Sequence, residues 1–190
     1  MNTEQKTVLI TGATSGIGNA LFERYVDAGY RVLACGRNKE QLNALAERAS
    51  ETLCFDINST EEIAKASAAI SAIDILVLNA GTCLYVDDVV NFDAELFEQV
   101  INTNLIALGK LLQHLLPKVN VGGQVVFISS SATILPFPRA QAYGASKAGM
   151  DYLANSLRLD LKPKHIDVTL VHPGFIKTPL TDKNDFPMPF

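Results

Sequence analysis

The sequence predicts an α/β protein with a doubly wound, mostly parallel sheet and helices on both faces, a three-layer α/β/α architecture. Two observations lead to this prediction. Six short apolar runs alternate along the chain with segments of helical periodicity. The first run leads into a glycine-rich turn, a helix and a second run, which is the order of one βαβ unit. A chain of 190 residues suits a single domain, and we assign residues 1–190 to one unit.

The first βαβ unit covers the N-terminal part of the chain. Thr7–Ile10 is apolar and too short for a helix, so it is predicted to be a buried strand. A helix is predicted after the glycine turn, because apolar residues recur on one side across Ile17–Val26, and Gly29 ends it. The second strand is predicted at Arg31–Cys35.

The same alternation continues along the rest of the chain. Most later apolar runs end in a short polar or glycine-containing segment, and Pro163 stops the longest helix. The later strands are predicted at Thr52–Phe55, Ile73–Leu78, Gln124–Ile128 and Ile166–Val171. The later helices are predicted at Lys39–Ala49, Thr60–Ser71, Phe92–Pro117 (two pieces, the second from about Asn102) and Gln141–Lys162. Thr178–Phe190 shows no periodicity and is predicted to be a loop.

The composition argues against several classes of function. Hydrophobic residues make up 48% of the chain and charged residues 19%, and the net charge of −4 offers no basic surface for nucleic acid. No run of about 18 apolar residues predicts a membrane-spanning helix, and the first six residues carry no apolar secretory segment. We therefore expect a cytoplasmic protein that binds neither nucleic acid nor membranes.

Cysteines and histidines are scattered along the chain. The cysteines form no Cys-x-x-Cys pair, so we expect free thiols that serve as small apolar side chains; they are Cys35, Cys54 and Cys83. The histidines lack the spacing of metal ligands, so we predict no metal site; they are His114, His165 and His172.

The glycine turn is the first motif with a chemical meaning. In Thr11-Gly-Ala-Thr-Ser-Gly-Ile-Gly18 the glycines allow a tight turn and a close approach to a pyrophosphate at a helix N-terminus. The spacing is G-x-x-x-G-x-G, and a plain strand-to-helix turn is the alternative interpretation. Its place inside a βαβ unit favours nucleotide binding.

The end of the second strand bears on the choice of dinucleotide. A site for NAD usually carries an acidic residue there, whereas this chain has Arg37, 19 residues after Gly18. A guanidinium matches a 2′-phosphate in charge and geometry, so we predict NADP, with NAD the less favoured cofactor. The alternative is a surface arginine that opens a helix.

Polar residues follow three other strands. They are Asp56, Asn79-Ala-Gly81 and Ser129-Ser-Ser131. In open α/β sheets the ligand crevice lies outside the carboxyl ends of the strands, so these residues are predicted to line one cleft. Each segment alone is also compatible with an ordinary turn.

Tyr143 and Lys147 stand four residues apart on the longest predicted helix, which places them on one face. A nearby ammonium favours the phenolate, so the lysine is predicted to lower the pKa of the tyrosine from about 10. The pair would then exchange protons with an alcohol or carbonyl near neutral pH. On the pattern alone, an ordinary amphipathic helix is the competing interpretation.

Taken together, these motifs resemble those of the short-chain dehydrogenase/reductase family, in its main group of single-domain members with a Rossmann-like fold. Thr11–Gly18 matches the glycine motif of that family, and Asn79–Gly81 its central-strand motif, although Leu78 stands where the family often has asparagine. Ser130 lies 13 residues before Tyr143, as the serine of the family does. The resemblance covers residues 6 to about 180 and makes the chain a single dinucleotide-binding and catalytic domain.

The resemblance implies a role for each matching residue. Tyr143 would exchange the proton with the substrate, Ser130 would hold the carbonyl, and Lys147 would lower the pKa of the tyrosine and bond the nicotinamide ribose. Asn104 would support a water path to the lysine. The cofactor would contact Gly12, Ser15, Gly16, Ile17, Gly18, Arg37, Asp56, Ile57, Asn79, Ala80, Gly81, Tyr143, Lys147, Pro173, Gly174, Ile176 and Thr178.

The resemblance also implies an activity and a quaternary structure. We expect an NADP-dependent oxidoreductase that interconverts a carbonyl and a secondary alcohol, and a homodimer or homotetramer paired through the helices near Leu105–Leu116 and after Tyr143. Family members usually continue into a further helix and a seventh strand, so we expect that the C-terminal strand is missing here, through a shortened sequence or a natural truncation. A non-catalytic nucleotide sensor or scaffold on the same fold is the alternative.

Overall fold

The computed structural model of the protein describes residues 5–181. Within this range six strands form one parallel sheet: β1 (Thr7–Thr11), β2 (Arg31–Gly36), β3 (Glu51–Cys54), β4 (Ile73–Leu78), β5 (Val119–Ile128) and β6 (Asp167–Val171). The α-helices are α1 (Gly16–Asp27), α2 (Lys39–Leu45), α3 (Thr60–Ser67), α4 (Ala94–Ile101), α5 (Ala107–Leu115) and α6 (Gln141–Leu161). The predicted Rossmann-like α/β fold with a parallel sheet is confirmed.

The strand order determines where a ligand crevice can form. It is β3-β2-β1-β4-β5-β6, so the chain builds one half of the sheet outward from β1 and then crosses over to build the other half from β4. Ile10 of β1 pairs with Val77 of β4 at this change of direction. Open parallel sheets bind ligands beyond the carboxyl ends of the strands at such a switch point.

The sheet carries a separate hydrophobic core on each face. Alternate residues of a strand point to opposite faces, so Leu9 belongs to one core and Val8 and Ile10 to the other. The first core includes side chains of α3, α5 and α6, and the second includes Phe22 of α1 and Leu42 of α2. Helices therefore cover both faces, as the sequence predicts.

Two helices end earlier than their apolar periodicity predicts. Helix α2 ends at Leu45, although the apolar pattern continues to Ala49, and both side chains pack on the second core. Helix α3 ends at Ser67, whose hydroxyl donates to the carbonyl oxygen of Ala64 at 3.2 Å. Such side-chain bonds compete with the backbone bonds of a helix. In each case the apolar pattern outlasts the helix because irregular turns also face the core.

Strand β5 begins at Val119, five residues before its predicted start. Gly122 has a φ of +81°, and the pairing with β4 shifts register between Ile73 and Ile75. Glycine is disfavoured in strand interiors and often marks a bulge. The glycines therefore conceal the first half of this strand from a prediction based on apolar runs.

The predicted helical region Phe92–Pro117 divides at an irregular segment. Asp93 caps α4 by accepting a 2.9 Å hydrogen bond from the backbone N–H of Leu96. Between α4 and α5 the chain forms a π-helical turn at Asn102–Ile106, an element that occurs frequently at functional sites. Among the helices within residues 5–181, none has the length and apolarity needed to span a bilayer.

Candidate active site

A cleft of about 510 Å³ lies at the carboxyl ends of the strands. It brings together most of the predicted site residues from seven separate segments of the chain. Those on its wall are Gly12, Ser15, Gly16, Ile17, Arg37, Ile57, Asn79, Ala80, Gly81, Ser130, Tyr143, Lys147, Pro173, Gly174, Ile176 and Thr178. Three predicted residues, Gly18, Asp56 and Asn104, do not line the cleft and contact the residues that do.

The turn after β1 requires glycine at two positions for different reasons. Gly12 has a φ of +67°, a conformation that other residues rarely adopt. At Gly18 a Cβ atom would lie 2.1 Å from the carbonyl oxygen of Gly12 and 2.5 Å from Nδ2 of Asn79. Gly18 therefore allows α1 to pack against the turn, and its predicted contact with the cofactor stays a prediction.

The N-terminus of α1 faces the cleft. The helix begins at Gly16, and its first turn carries no acidic residue. Ser15 precedes the helix in an extended conformation. Among the described residues, its side chain makes no hydrogen bond that caps the first turn. The first turn therefore presents backbone N–H groups and a positive partial charge to the cleft, which suits a phosphate group.

Thr11 and Asn79 join the ends of β1 and β4. The Thr11 hydroxyl accepts from the backbone N–H groups of Asn79 at 3.0 Å and Ala80 at 3.2 Å, and it donates to the Val77 carbonyl oxygen at 3.1 Å. The Asn79 amide donates to the carbonyl oxygens of Thr11 and Gly12 at 3.0 and 3.2 Å. These bonds hold the glycine turn beside the central strand. Sequence reasoning missed the role of Thr11, whose only signal is its position at the strand end.

Arg37 lies at the end of β2 beside Asp56. Its Nη1 atom is 3.7 Å from Oδ2 of Asp56, and the two side chains are 68% and 38% exposed. Such an exposed pair contributes little to stability, so the guanidinium can exchange this carboxylate for a phosphate at small cost. Thr14 and Asn38 line the same end of the cleft, and sequence reasoning did not single them out.

Tyr143 and Ser130 meet at the opposite end of the cleft. Ser130 follows β5, and its Oγ accepts a 3.1 Å hydrogen bond from the backbone N–H of Ala132. Burial raises the pKa of the Tyr143 phenol, a hydrogen bond with the Ser130 side chain acts to lower it, and Cys83 raises it. Ser131 N–H donates to the Pro173 carbonyl oxygen at 3.0 Å, which places the Pro173-Gly174 segment beside the serine.

Lys147 is buried directly behind this pair. Its Nζ atom donates to the Ile128 carbonyl oxygen at 2.8 Å and lies 5.8 Å from the centroid of the Tyr143 ring. A Cβ atom at Gly81 would lie 3.7 Å from Nζ, an ordinary contact distance, so the segment after β4 packs directly beside the ammonium. Burial lowers the pKa of Lys147 to about 8, against the charges of Asp151 and Cys83, which raise it.

The prediction that Lys147 lowers the pKa of Tyr143 is wrong for the chain by itself. The pKa of Tyr143 is raised from its ordinary value, because removal of the phenol from water is the largest influence on it. The lysine is itself buried, and its own pKa falls for the same reason. The phenol is therefore held in its protonated form at neutral pH.

Asn104 occupies the π-helical turn and is fully buried. Its Oδ1 accepts from the Thr82 N–H at 2.8 Å, and its Nδ2 donates to the Thr82 carbonyl oxygen at 2.8 Å and to Ser146 Oγ at 3.0 Å. A Cβ atom at Gly81 would lie 3.1 Å from Oδ1. The amide thus fixes the segment after Asn79 against α6, whereas its predicted role in a water path stays a prediction.

The arrangement suits a dinucleotide laid across the carboxyl ends of the sheet. A helix N-terminus and a glycine turn lie near the middle, a guanidinium lies at one end, and a serine, a tyrosine and a buried lysine lie at the other. No side chain fills the turn at Gly12 or Gly18, where a Cβ atom would crowd the neighbouring backbone. A nicotinamide cofactor therefore fits the residues present.

Comparison with known proteins agrees with this geometry. The sequence profile of the short chain dehydrogenase family matches residues 6–187. Serine 3-dehydrogenase of Agrobacterium fabrum is 37% identical over 183 residues, covering 92% of this chain and 74% of that protein. The NADP-dependent 3-hydroxy acid dehydrogenase YdfG of Salmonella typhi is 33% identical over 178 residues, covering 89% of this chain and 72% of that protein.

A solved structure gives the same result for the fold. A short chain dehydrogenase of Burkholderia cenocepacia in complex with NADP superimposes with a TM-score of 0.87 at 26% identity, covering 99% of this chain and 80% of that one. The family profile spans nearly the whole chain, and the sequence relatives exceed 30% identity. The chain therefore belongs to the short-chain dehydrogenase/reductase family and is an NAD(P)-dependent oxidoreductase.

Proposed function

We propose that this protein uses NADP(H) to interconvert a carbonyl and a secondary alcohol, with Tyr143 as the proton donor and acceptor. The observation that supports the proposal most is the convergence of Ser130, Tyr143 and Lys147 at one end of the cleft. Ser130 follows β5, whereas the other two lie one turn apart on α6. Converging polar groups that include two buried titratable side chains with shifted pKa values are typical of a site for general acid–base chemistry.

The protein side of the proposed reaction follows from the states of these groups. In the reductive direction Tyr143 gives its phenolic proton to the substrate oxygen, and its raised pKa keeps that proton in place at neutral pH. Ser130 donates a hydrogen bond to the same oxygen and stabilises the negative charge that develops there. Lys147 then offsets the charge left on the phenolate from behind the ring.

The cofactor would be held by the segments that the cleft brings together. The backbone N–H groups at Ser15–Ile17 would bind the pyrophosphate, and Lys147 the nicotinamide ribose. The Pro173-Gly174 segment would flank the nicotinamide. When bound, this group supplies the hydride, while the protein orients the substrate and handles the proton.

The preference for NADP depends on Arg37. Its guanidinium borders the cleft, and its counter-ion Asp56 is partly exposed and 3.7 Å away. A 2′-phosphate would offer a stronger, bidentate partner than this carboxylate at that distance. The relative from Salmonella typhi is named as NADP-dependent, and the Burkholderia cenocepacia structure contains NADP.

We also propose that the protein is a homo-oligomer that pairs through α6 and α5. Tyr152 and Leu159 lie two turns apart on α6 and are 81% and 74% exposed, and Ile106 near the start of α5 is 48% exposed. Large apolar side chains at this spacing form one exposed face. Sedimentation analysis would show a dimer or tetramer, and a monomer at all concentrations would contradict the pairing.

The activity is tested by replacing the proposed proton donor. The parent protein and Tyr143→Phe are incubated with NADPH and a panel of carbonyl compounds, which includes the oxidised forms of serine and of 3-hydroxy acids because two relatives are named for such substrates. Loss of the phenol is expected to lower NADPH oxidation by about a hundredfold or more, because general acid catalysis typically contributes that much. NADPH binding is expected to persist.

Tyr25→Phe is the matched control. Tyr25 packs edge-to-face on Tyr30, with ring centroids 5.1 Å apart, against the second core and away from the cleft. This variant is expected to turn over NADPH like the parent. Unchanged turnover in Tyr143→Phe would remove the proposed proton donor. Tight NADPH binding without turnover of any carbonyl by the parent would favour a nucleotide sensor.

A further inference from the structure

Asp151 connects three segments that border the active site. The Ser129 hydroxyl donates a hydrogen bond to Oδ1 of Asp151, and Nε2 of His172 lies 2.7 Å from Oδ2. A carboxylate only accepts, so the imidazole N–H donates in this contact. The side chains of Asp151 and His172 are 19% and 29% exposed, and Ser129 is buried. Neither the glycine turn nor the serine–tyrosine pair includes these residues.

The position of each partner links the cluster to the reacting groups. Asp151 stands one turn after Lys147 on α6, so the two side chains leave the helix on the same face. Ser129 directly follows Ile128, whose carbonyl oxygen accepts the hydrogen bond from Lys147. His172 directly precedes the Pro173-Gly174 segment on the cleft wall. The carboxylate therefore bridges α6 to the ends of β5 and β6.

The backbone reinforces this junction. Ser129 N–H donates to the Val171 carbonyl oxygen at 2.8 Å, and Ser131 N–H donates to the Pro173 carbonyl oxygen at 3.0 Å. His172 lies between these two acceptors, so its side chain adds a second link, beside the Ser129 hydroxyl, from this paired segment to α6. Loss of the imidazole would leave the segment held to the helix by fewer bonds.

Charges around Lys147 come from three directions. Tyr143 and Asp151 face it from α6, Cys83 acts on it from the segment after β4, and His172, directly after β6, contacts the aspartate. Among these groups Asp151 is the largest influence that favours the charged ammonium, whereas burial opposes it. A carboxylate held by a serine and a histidine keeps its charge directed at a fixed place.

We propose that Asp151 is a positioning residue: its carboxylate keeps the buried Lys147 charged and, through His172, fastens the Pro173-Gly174 segment to α6. The catalytic use of the Lys147 charge rests on the function proposed above, but the effect of Asp151 on that charge can be measured without any turnover. A purely structural Asp151 would tie α6 to the sheet and leave the protonation of Lys147 unchanged.

The direct test is the protonation of Lys147 in the cofactor-free protein. The pKa of the lysine is measured by NMR titration of the side-chain carbons in labelled lysine, and the resonance is assigned with Lys147→Arg. Asp151→Asn preserves the shape and removes the charge, so we expect the pKa of Lys147 to fall by about one unit. Asp160→Asn removes the same charge from an exposed position of the same helix and is expected to leave it unchanged.

A second variant covers the case in which Asp151→Asn does not fold. Ser129→Ala removes one hydrogen-bond donor to the carboxylate and lets it turn toward water, so the pKa of Lys147 is expected to fall in the same direction. A titration of Lys147 that is unchanged in every folded variant of this pair overturns the proposal. Because the measurement uses no substrate, this outcome is separate from a failure of the proposed reaction.

NADPH affinity provides the second readout. Lys147 is proposed to bond the cofactor, so the loss of NADPH affinity in Asp151→Asn is expected to be about threefold or more greater at pH 8.5 than at pH 6.5, where the lysine stays largely charged in both proteins and the loss reflects the weakened link to Ser129 and His172. His172→Gln retains the charge of Asp151 and is expected to weaken NADPH binding equally at both pH values. An equal loss at both pH values in Asp151→Asn would reduce the aspartate to a structural role and overturn the proposal.

Discussion

Nζ of Lys147 donates a hydrogen bond to the carbonyl oxygen of Ile128 at 2.8 Å, although the lysine is only 4% exposed. An ammonium in such a place is stabilised by few partners and has lost its water. Burial accordingly lowers the pKa of Lys147 from 10.5 to about 8. The chain therefore carries an intrinsically unfavourable charge at the point where the proposed chemistry requires it, a pattern that is common at active sites.

This burial predicts a gain in stability when the ammonium is removed. The folded chain binds the Lys147 proton less tightly than the unfolded chain does, so on account of this group stability is lowest below pH 8 and rises between about pH 8 and 10.5. Lys147→Met is expected to raise the free energy of unfolding at pH 7 by about 1–3 kcal/mol, after allowance for the lost hydrogen bond. Urea denaturation of the parent and of Lys147→Met at pH 7 and at pH 10 measures this difference in the free energy of unfolding.

The gain in the free energy of unfolding from Lys147→Met is expected to be smaller at pH 10 than at pH 7. Lys65→Met, at an exposed position of α3, is the control and is expected to change stability little at either pH. A loss of stability at pH 7 in Lys147→Met, or an equal gain at both pH values, would show that the buried charge is not the cause.

The glycine turn makes a prediction about packing. In Gly18→Ala the new methyl group would lie 2.1 Å from the Gly12 carbonyl oxygen, so α1 must move away from the turn. We expect a loss of about 2–4 kcal/mol in the free energy of unfolding and weaker NADPH binding. Gly109→Ala in α5 meets no atom within 4 Å and is expected to stabilise the protein by about 0.5–1 kcal/mol. Equal effects of the two variants would contradict the packing argument.

Much of the fold follows from local pattern in the sequence. The strand at Ile73–Leu78 and the helix that begins at Gln141 agree with the structure, because each is a strongly periodic or continuously apolar segment with a clear end. The first half of β5 was missed because Gly122 and Gly123 interrupt its apolar run. The direction of the strands also followed from the βαβ order, whereas their spatial order required the structure.

The site was predictable where a motif carries its own chemistry. Tyr143, Ser130 and the glycine turn meet at the cleft as the motifs indicate. Thr11 and the pair of Asp151 and His172 carried no such signal, since their function depends on neighbours far away in sequence. The pKa of Tyr143 was predicted in the wrong direction because burial of the phenol cannot be inferred from the spacing of two residues on a helix.

Arg37 provides the prediction on cofactor preference. Arg37→Asp reverses the charge at the proposed 2′-phosphate site, so we expect NADPH affinity to fall by about tenfold to a hundredfold while NADH affinity changes little. Fluorescence titration with both cofactors measures this. Lys65→Asp makes the same charge change on the exposed surface of α3 and is expected to leave both affinities unchanged. An equal loss for NADPH and NADH in Arg37→Asp would mean that Arg37 does not contact the 2′-phosphate.

The most direct test of the proposed activity follows the hydride itself. The parent protein is incubated with NADPH that carries deuterium on one defined face of the nicotinamide and with each carbonyl compound of the panel, and the alcohol formed is analysed by mass spectrometry. We expect one deuterium at the carbinol carbon for one of the two labelled faces, and about a hundredfold or more less labelled alcohol in the same time with Tyr143→Phe, although that variant still binds NADPH. If no carbonyl compound of the panel gives a labelled alcohol with either labelled face, although the parent protein binds NADPH tightly, the proposed oxidoreductase activity is contradicted.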